Sequence, residues 1–186
     1  MRGVLASLLT AGLAAGGVFT TSAQAGPEDF STGPLIADYG PNAEIETTIA
    51  LPPDTVFRPL YDVAEPADPG ELNRSFVTAA RFLNMHARAG VPAENMHLAI
   101  VIHGRAIFDV ANAEAFERRH GAGAENANAA LIAELAAHGV TFYVCGQSAA
   151  HYDLETSELL PGVEMALSAM TVNAVLQQSG YTLNPF

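Results

Sequence analysis

The chain has 186 residues, of which 49% are hydrophobic, and it carries a formal net charge of −12 at pH 7. It contains no lysine, so its positive charges come from eight arginines, compared with 20 Asp and Glu residues. A body this acidic repels phosphate backbones and anionic lipid surfaces, so we expect neither nucleic acid nor a membrane among its partners. A chain of this length can bury the core of one domain.

Residues 1–25 have the layout of a secretory signal peptide. Arg2 gives a basic start, residues 4–19 form an apolar run, and Ala23-Gln24-Ala25 is an A-x-A cleavage site. The apolar run is shorter than the roughly 20 residues that a membrane span needs. We therefore expect a periplasmic protein that is exported through a cleavable signal peptide, with cleavage near Ala25.

Residues 26–54 form a proline-rich leader, with five prolines among glycines and acidic residues. This composition predicts a loose segment, although residues 45–51 are a candidate for pairing at the edge of a sheet. We place a single domain at residues 55–186.

Predicted strands and helices alternate from residue 55 onward. Residues 55–63 indicate a strand, and Asp68-Pro69-Gly70-Glu71 has the pattern of a helix start. The apolar stripe that follows includes Phe76 and Leu83 at helical spacing, and Gly90-Val91-Pro92 ends the helix.

The segment HLAIVIH at 97–103 is typical of a strand that is buried on both faces. Further along, the pattern predicts helices at 109–119, 126–138 and 170–178, strands at 141–145, 163–167 and 181–183, and a loop with a helical turn at 148–160. This alternation predicts an α/β fold, a three-layer sandwich with a mainly parallel sheet of about five strands.

Two residues that can take part in proton transfer or nucleophilic attack each end a predicted strand, and their side chains could meet if the two strands are neighbours. His103 and Cys145 are each followed by a glycine, and ligands of open parallel sheets bind beyond the carboxyl ends of the strands. We therefore expect both side chains at one edge of the sheet. The amides of Gly146, Gln147 and Ser148 are candidates to point at the sulfur, with Ser148 as a helix cap, and such donors favour a thiolate.

Cys145 is the only cysteine, so it cannot form an internal disulfide. In an exported protein it indicates a free reactive thiol or an intermolecular pair, whereas the alternative is inert packing as a small hydrophobe. Arg105 and His151 are candidate cationic or proton-handling neighbours. His103, Cys145 and His151 lack the spacing of a metal motif, so we predict no metal and no cofactor.

The segments VIHG at 101–104, YVCGQSA at 143–149 and the tail at 160–186 together resemble the DsrE/DsrF-like family, whose fold is often called YchN-like. The resemblance covers about residues 55–186 and is to the exported, single-domain branch of the family. It implies a parallel α/β sandwich, a homo-oligomer (a trimer or hexamer) and sulfur handling. By this resemblance Cys145 is the persulfide-bearing residue and His103 is its neighbour.

The favoured interpretation is an exported sulfur carrier or sulfurtransferase-like protein. Cys145 and His103 would be the catalytic pair, and Arg105, His151 and residues 146–148 would bind the substrate. Its partner would be a small sulfur compound or an acceptor protein thiol. Carriage needs one cysteine, whereas a disulfide oxidoreductase usually needs a second one. The alternatives are a non-enzymatic module that binds a small ligand and an oligomeric interaction protein of the periplasm.

Overall fold

The computed structural model of the chain describes residues 26–52 and 54–186. The predicted signal peptide, residues 1–25, lies outside the described residues. Five strands form one sheet in the order β4-β3-β2-β1-β5, and every neighbouring pair is parallel. The strands are β1 (Pro59–Val63), β2 (Ala99–Ile102), β3 (Thr141–Cys145), β4 (Val163–Ala166) and β5 (Thr182–Asn184).

Within the described residues, five α-helices connect these strands: α1 (Arg74–Arg88), α2 (Ala113–His120), α3 (Asn128–Ala137), α4 (Gly146–Tyr152) and α5 (Ala169–Gln178). Short 3₁₀ turns cover Pro27–Asp29, Ala93–Asn95, Gly104–Val110 and Thr156–Glu158. No helix within the described ranges has the length and apolar content that crossing a membrane requires.

The sheet separates two apolar clusters. On one face, strand residues such as Ile100 and Phe142 pack with α1 and α3, and the rings of Phe76 and Phe142 meet edge to face at 6.0 Å. On the other face, α5 covers Leu60, Val101 and Cys145. Helices on both faces of a parallel sheet make three layers, which confirms the predicted fold class.

The predicted start of α1 at residues 68–71 is wrong. The helix begins at Arg74, and Asn73 caps it by accepting a hydrogen bond from the N–H of Ser75 at 2.9 Å. The Nδ2 of Asn73 also donates to Oδ2 of the buried Asp109 at 2.7 Å. This contact with a distant residue selects Asn73 as the cap, so the helix does not begin at the local capping pattern of residues 68–71.

The loop predicted at 148–160 is also wrong at its start, because α4 begins directly after β3. A Cβ atom on Gly146 would lie 2.5 Å from the carbonyl oxygen of Ala166, so only glycine allows β4 to approach this closely. The helix predicted at 109–119 is divided into a 3₁₀ turn and α2, whose cap is Asn112.

Part of the leader packs on α1 instead of being loose. Oδ1 of Asn84 accepts hydrogen bonds from the N–H groups of Leu35 and Ile36 at 3.1 and 2.8 Å. Its Nδ2 donates to the carbonyl oxygens of Ile36 and Tyr39 at 3.0 and 2.9 Å. Ile36 is fully buried. Residues 45–51, in contrast, form no strand.

Candidate functional site

The pairing of β2 with β3 brings His103 and Cys145 together. Ile102 lies opposite Val144, so the next residue of each chain segment, His103 and Cys145, continues the register at the carboxyl edge of the sheet. Neighbouring strands are about 4.8 Å apart. Both residues line one open cavity of about 250 Å³.

This cavity lies between the strand ends, α4 and α5. Cys145 is only 6% exposed although it belongs to the lining, so the residue contributes little accessible area to the cavity. The lining combines polar and apolar side chains: Asp62, His103, Cys145, Gln147, Ser148, Ser168, Ala169, Met170 and Asn173.

The first turns of two helices point N–H groups at the sulfur of Cys145. Burial raises the pKa of the thiol, but hydrogen bonds outweigh it and hold the pKa below its ordinary value. The donors are the N–H of Ala169, the hydroxyl of Ser148, and the N–H groups of Ser148 and Gln147. Ala169 opens α5, and Gln147 and Ser148 lie in the first turn of α4, where N–H groups have no partner inside the helix. The sulfur therefore occupies a position that favours the thiolate.

Ser148 does not cap α4, which is a correction to the expected role. Cys145 occupies the cap position without a side-chain hydrogen bond, and the Oγ of Ser148 instead accepts from the N–H of Gly104 at 2.9 Å. The hydroxyl proton of Ser148 is then free to reach Cys145. Ser148 thus donates two hydrogen bonds to the sulfur, one from its hydroxyl and one from its backbone N–H.

An acidic residue that the sequence analysis missed lies beside His103. Oδ2 of Asp62 is 3.2 Å from Nε2 of His103, and Oδ1 of Asp62 accepts from Nδ2 of Asn173 at 2.9 Å. Asp62 lies near the end of β1, so the strand-end rule that selected His103 also applies to it. Asn173 comes from α5, and no sequence signal connects that helix with the cavity.

A family model described as the DsrE/DsrF-like family matches residues 61–185. The chain belongs to the DsrE/DsrF-like family. That family is associated with sulfur relay in general. No curated protein matches the chain.

Two solved structures have the same fold as this DsrE/DsrF-like chain. One is a protein of unknown function, MTH1491, from Methanobacterium thermoautotrophicum, with 15% sequence identity and a TM-score of 0.52 over 69% of this chain and 97% of that one. The other is the YchN protein from E. coli, with 14% identity and a TM-score of 0.50 over 69% of this chain and 100% of that one. At these identities the likeness shows the fold alone.

Three of the predicted site residues, Arg105, Gly146 and His151, are not among the residues that line the cavity of this family member. Arg105 is exposed in the 3₁₀ turn after β2, and His151 is exposed near the end of α4, where its ring meets that of Tyr152 at 4.7 Å. Neither belongs to the lining. Gly146 is needed for close packing against β4, and Gln147 lines the cavity while its Nε2 donates to the carbonyl oxygen of Leu167 at 3.3 Å.

Other cavities are larger, at about 390, 370 and 270 Å³, and none of these three is lined by a cysteine, although His97 and His138 line the second. Among the residues that the structure describes, no three or more His, Cys, Asp or Glu side chains are grouped so that they could hold a metal ion. The cavity at Cys145 is therefore the candidate site for this DsrE/DsrF-like protein.

Proposed function

We propose that this protein carries sulfane sulfur as a persulfide on Cys145 and passes it to an acceptor thiol. The observation that carries the proposal is the convergence of N–H groups from α4 and α5 on the sulfur, which lowers the pKa of the thiol. A thiolate is the nucleophile in such exchange reactions. The family's general association with sulfur relay supports the same chemistry.

Loading needs one covalent step without net oxidation. The Cys145 thiolate attacks the sulfane sulfur of a donor R–S–SH, the donor's S–S bond breaks, and its electron pair leaves as R–S⁻. The product is Cys145–S–SH, a reversible state of cysteine. One cysteine is sufficient for this step, and the chain has one.

The cavity is large enough to hold the sulfur atom that Cys145 would carry. Its volume of about 250 Å³ is several times the roughly 30 Å³ that a water molecule occupies in the liquid. The outer sulfur would face Asp62, His103 and Asn173 across this space. With the export predicted from residues 1–25, the donor would be a small sulfur compound and the acceptor a protein thiol of the periplasm.

Transfer is the step that tests the proposal. The full mature chain is treated with polysulfide, desalted, and mixed with glutathione as the acceptor. We expect an adduct of one sulfur atom that disappears as glutathione persulfide forms, and no adduct in Cys145→Ser. A small ligand that binds in the cavity of the wild type without forming any adduct would support the non-enzymatic binding alternative instead.

A second candidate, an oligomeric interaction protein, is supported by apolar side chains on α5 and on the segments that flank it. Leu167, Met170 and Val175 are 71%, 79% and 54% exposed. We propose that this surface joins copies of the chain into a homo-oligomer, a trimer or hexamer. Light scattering of the wild type and of Val175→Glu tests it, because the variant is expected to dissociate. A wild type of one-chain mass would refute it.

A further inference from the structure

We infer that Asp62 is a positioning residue, which holds the ring proton of His103 on Nε2 so that Nδ1 can accept the proton of an incoming thiol. The inference rests on the proposed function, since it concerns the delivery of sulfur from Cys145. The 3.2 Å contact between Oδ2 of Asp62 and Nε2 of His103 carries it. A carboxylate can only accept, so Nε2 must be the donor and the neutral ring keeps its lone pair on Nδ1.

Asp62 is itself held in place from the opposite side. Nδ2 of Asn173 donates to Oδ1 of Asp62 at 2.9 Å, so both carboxylate oxygens are used and the group connects β1, β2 and α5. Oδ1 of Asn173 is buried and has no hydrogen-bond partner within the described residues. A buried acceptor without a partner is unfavourable, so packing alone does not explain an asparagine here. The hydrogen bond that Asn173 donates to Asp62 explains the asparagine at this position.

The surroundings of His103 leave few other groups that could set its protonation. The titratable residues that line the cavity are Asp62 from β1, His103 itself, and Cys145 from β3, while α4 and α5 contribute uncharged residues. Nδ1 of His103 has no hydrogen-bond partner in the part of the chain that the structure describes. His103 also continues the register of β2 beside Cys145. Because His103 and Cys145 line the same cavity, an acceptor thiol that enters it meets a proton acceptor and the loaded sulfur in one space.

The step that this arrangement serves is balanced. The acceptor R–SH gives its proton to Nδ1 of His103, and the resulting R–S⁻ attacks the outer sulfur of Cys145–S–SH. The bond between that sulfur and Sγ breaks, its electron pair remains on Sγ as the thiolate, and R–S–SH leaves. The imidazolium then releases its proton to solvent. The oxidation of the acceptor sulfur is balanced by the reduction of Sγ, so no external oxidant or reductant is needed.

Two variants test the contacts of Asp62. Asp62→Asn keeps the shape of the side chain but removes its charge, and Asn173→Ala removes the hydrogen-bond donor to Oδ1 of Asp62. Glu164→Gln is the matched control, because it removes an exposed carboxylate from the same sheet outside the cavity. Each full chain is loaded with polysulfide, and single-turnover transfer to glutathione is measured. A long-range ¹H–¹⁵N spectrum of the unloaded protein reports which nitrogen of His103 carries the proton, with His103→Gln to assign its signal among the six histidines.

We expect wild type and Glu164→Gln to show the proton of His103 on Nε2 and to transfer at the same rate. In Asp62→Asn the amide can also donate, so the Nδ1–H tautomer should appear, and transfer should slow about tenfold or more because positioned proton transfer typically contributes 10²-fold or more. Loading of Cys145 is measured separately by intact mass, and the transfer rate is expressed per loaded chain. Asn173→Ala should give a smaller effect in the same direction.

Two results separate this inference from the proposed function. If Cys145 loads but both variants transfer at the wild-type rate with an unchanged tautomer, the positioning role is refuted and the carrier role survives. If wild-type Cys145 never accepts sulfur, both fail, even where the spectrum shows the expected proton on Nε2.

Discussion

The backbone N–H of Gly104 donates a hydrogen bond to Oγ of Ser148 at 2.9 Å and so joins the end of β2 to α4. Because this contact engages the oxygen as an acceptor, the hydroxyl proton of Ser148 is available to Cys145. The two residues are 44 positions apart in the chain. The lowered pKa of the thiol therefore depends on how the two strand ends meet, and not only on the residues around the cysteine.

Replacement of Ser148 by alanine should make the thiol less reactive. The hydroxyl is one of the donors that lower the pKa of Cys145, so its loss raises that pKa and leaves less thiolate at neutral pH. A hydrogen bond to a charged group contributes about 1.5 kcal/mol, so alkylation by iodoacetamide at pH 7 should slow by about tenfold. The measurement is the alkylation rate against pH, with His151→Ala on the same helix as control. Equal profiles for Ser148→Ala and wild type would show that the hydroxyl does not act on the sulfur.

The stability of the protein should depend on pH through the same group. The folded pKa of Cys145 lies below its ordinary value, so the ionised thiol stabilises the fold fully above the unfolded pKa of about 8.5, and this contribution is lost as pH falls through the folded pKa. The difference in free energy of unfolding between wild type and Cys145→Ser should therefore grow in favour of the wild type as pH rises toward that value. Urea unfolding at several pH values measures it. A difference that is constant over this range would contradict the lowered pKa.

Gly146→Ala should destabilise the protein through contact with the backbone of β4. Its new Cβ would lie 2.5 Å from the carbonyl oxygen of Ala166, and backbone cannot move aside as a flexible side chain can. We expect a loss of about 1–3 kcal/mol in free energy of unfolding, as for other overpacked sites. Gln147→Ala adds no atoms at the next position and should change it by less than about 0.5 kcal/mol. Urea unfolding distinguishes the two, and equal stabilities would mean that β4 does not approach α4 this closely.

Asn84→Ala should release the leader from α1. The substitution leaves the N–H groups of Leu35 and Ile36 without their acceptor, and a buried donor left unpaired costs about 1–3 kcal/mol. Hydrogen exchange of the amides at 35–36 should accelerate, whereas Met85→Ala, at an exposed position next to it, should leave them protected. Unchanged exchange in Asn84→Ala would show that the leader is held by other contacts.

The parts of the fold that could be predicted from the sequence are those that local patterns determine. β3 was predicted with its observed bounds, since a run of β-branched and aromatic residues lies between Gly139 and Gly146. Residues such as Ile100 and Val101 marked β2 as buried on both faces, and they are. The start of α1 could not be predicted, because Asn73 is selected by its hydrogen bond to Asp109, 36 positions away.

The candidate site also combines residues that local sequence patterns predict with residues that only the tertiary fold brings there. The strand-end rule was enough to place His103 and Cys145 at one edge, and it would also have found Asp62 had it been applied to β1. Arg105 and His151 were chosen because they are near in sequence, but the turn after β2 and the last turn of α4 leave both exposed. Asn173 and Ala169 reach the cavity only because α5 folds over this face of the sheet, which no local pattern reports.

The intact mass of residues 26–186, the chain without the predicted signal peptide, after treatment with polysulfide tests most directly whether Cys145 carries sulfur. We expect an added mass of one sulfur atom per chain, which is removed by a reducing thiol and is absent from Cys145→Ser. A wild-type protein that gains no mass, or a Cys145→Ser variant that gains the same mass, would contradict it.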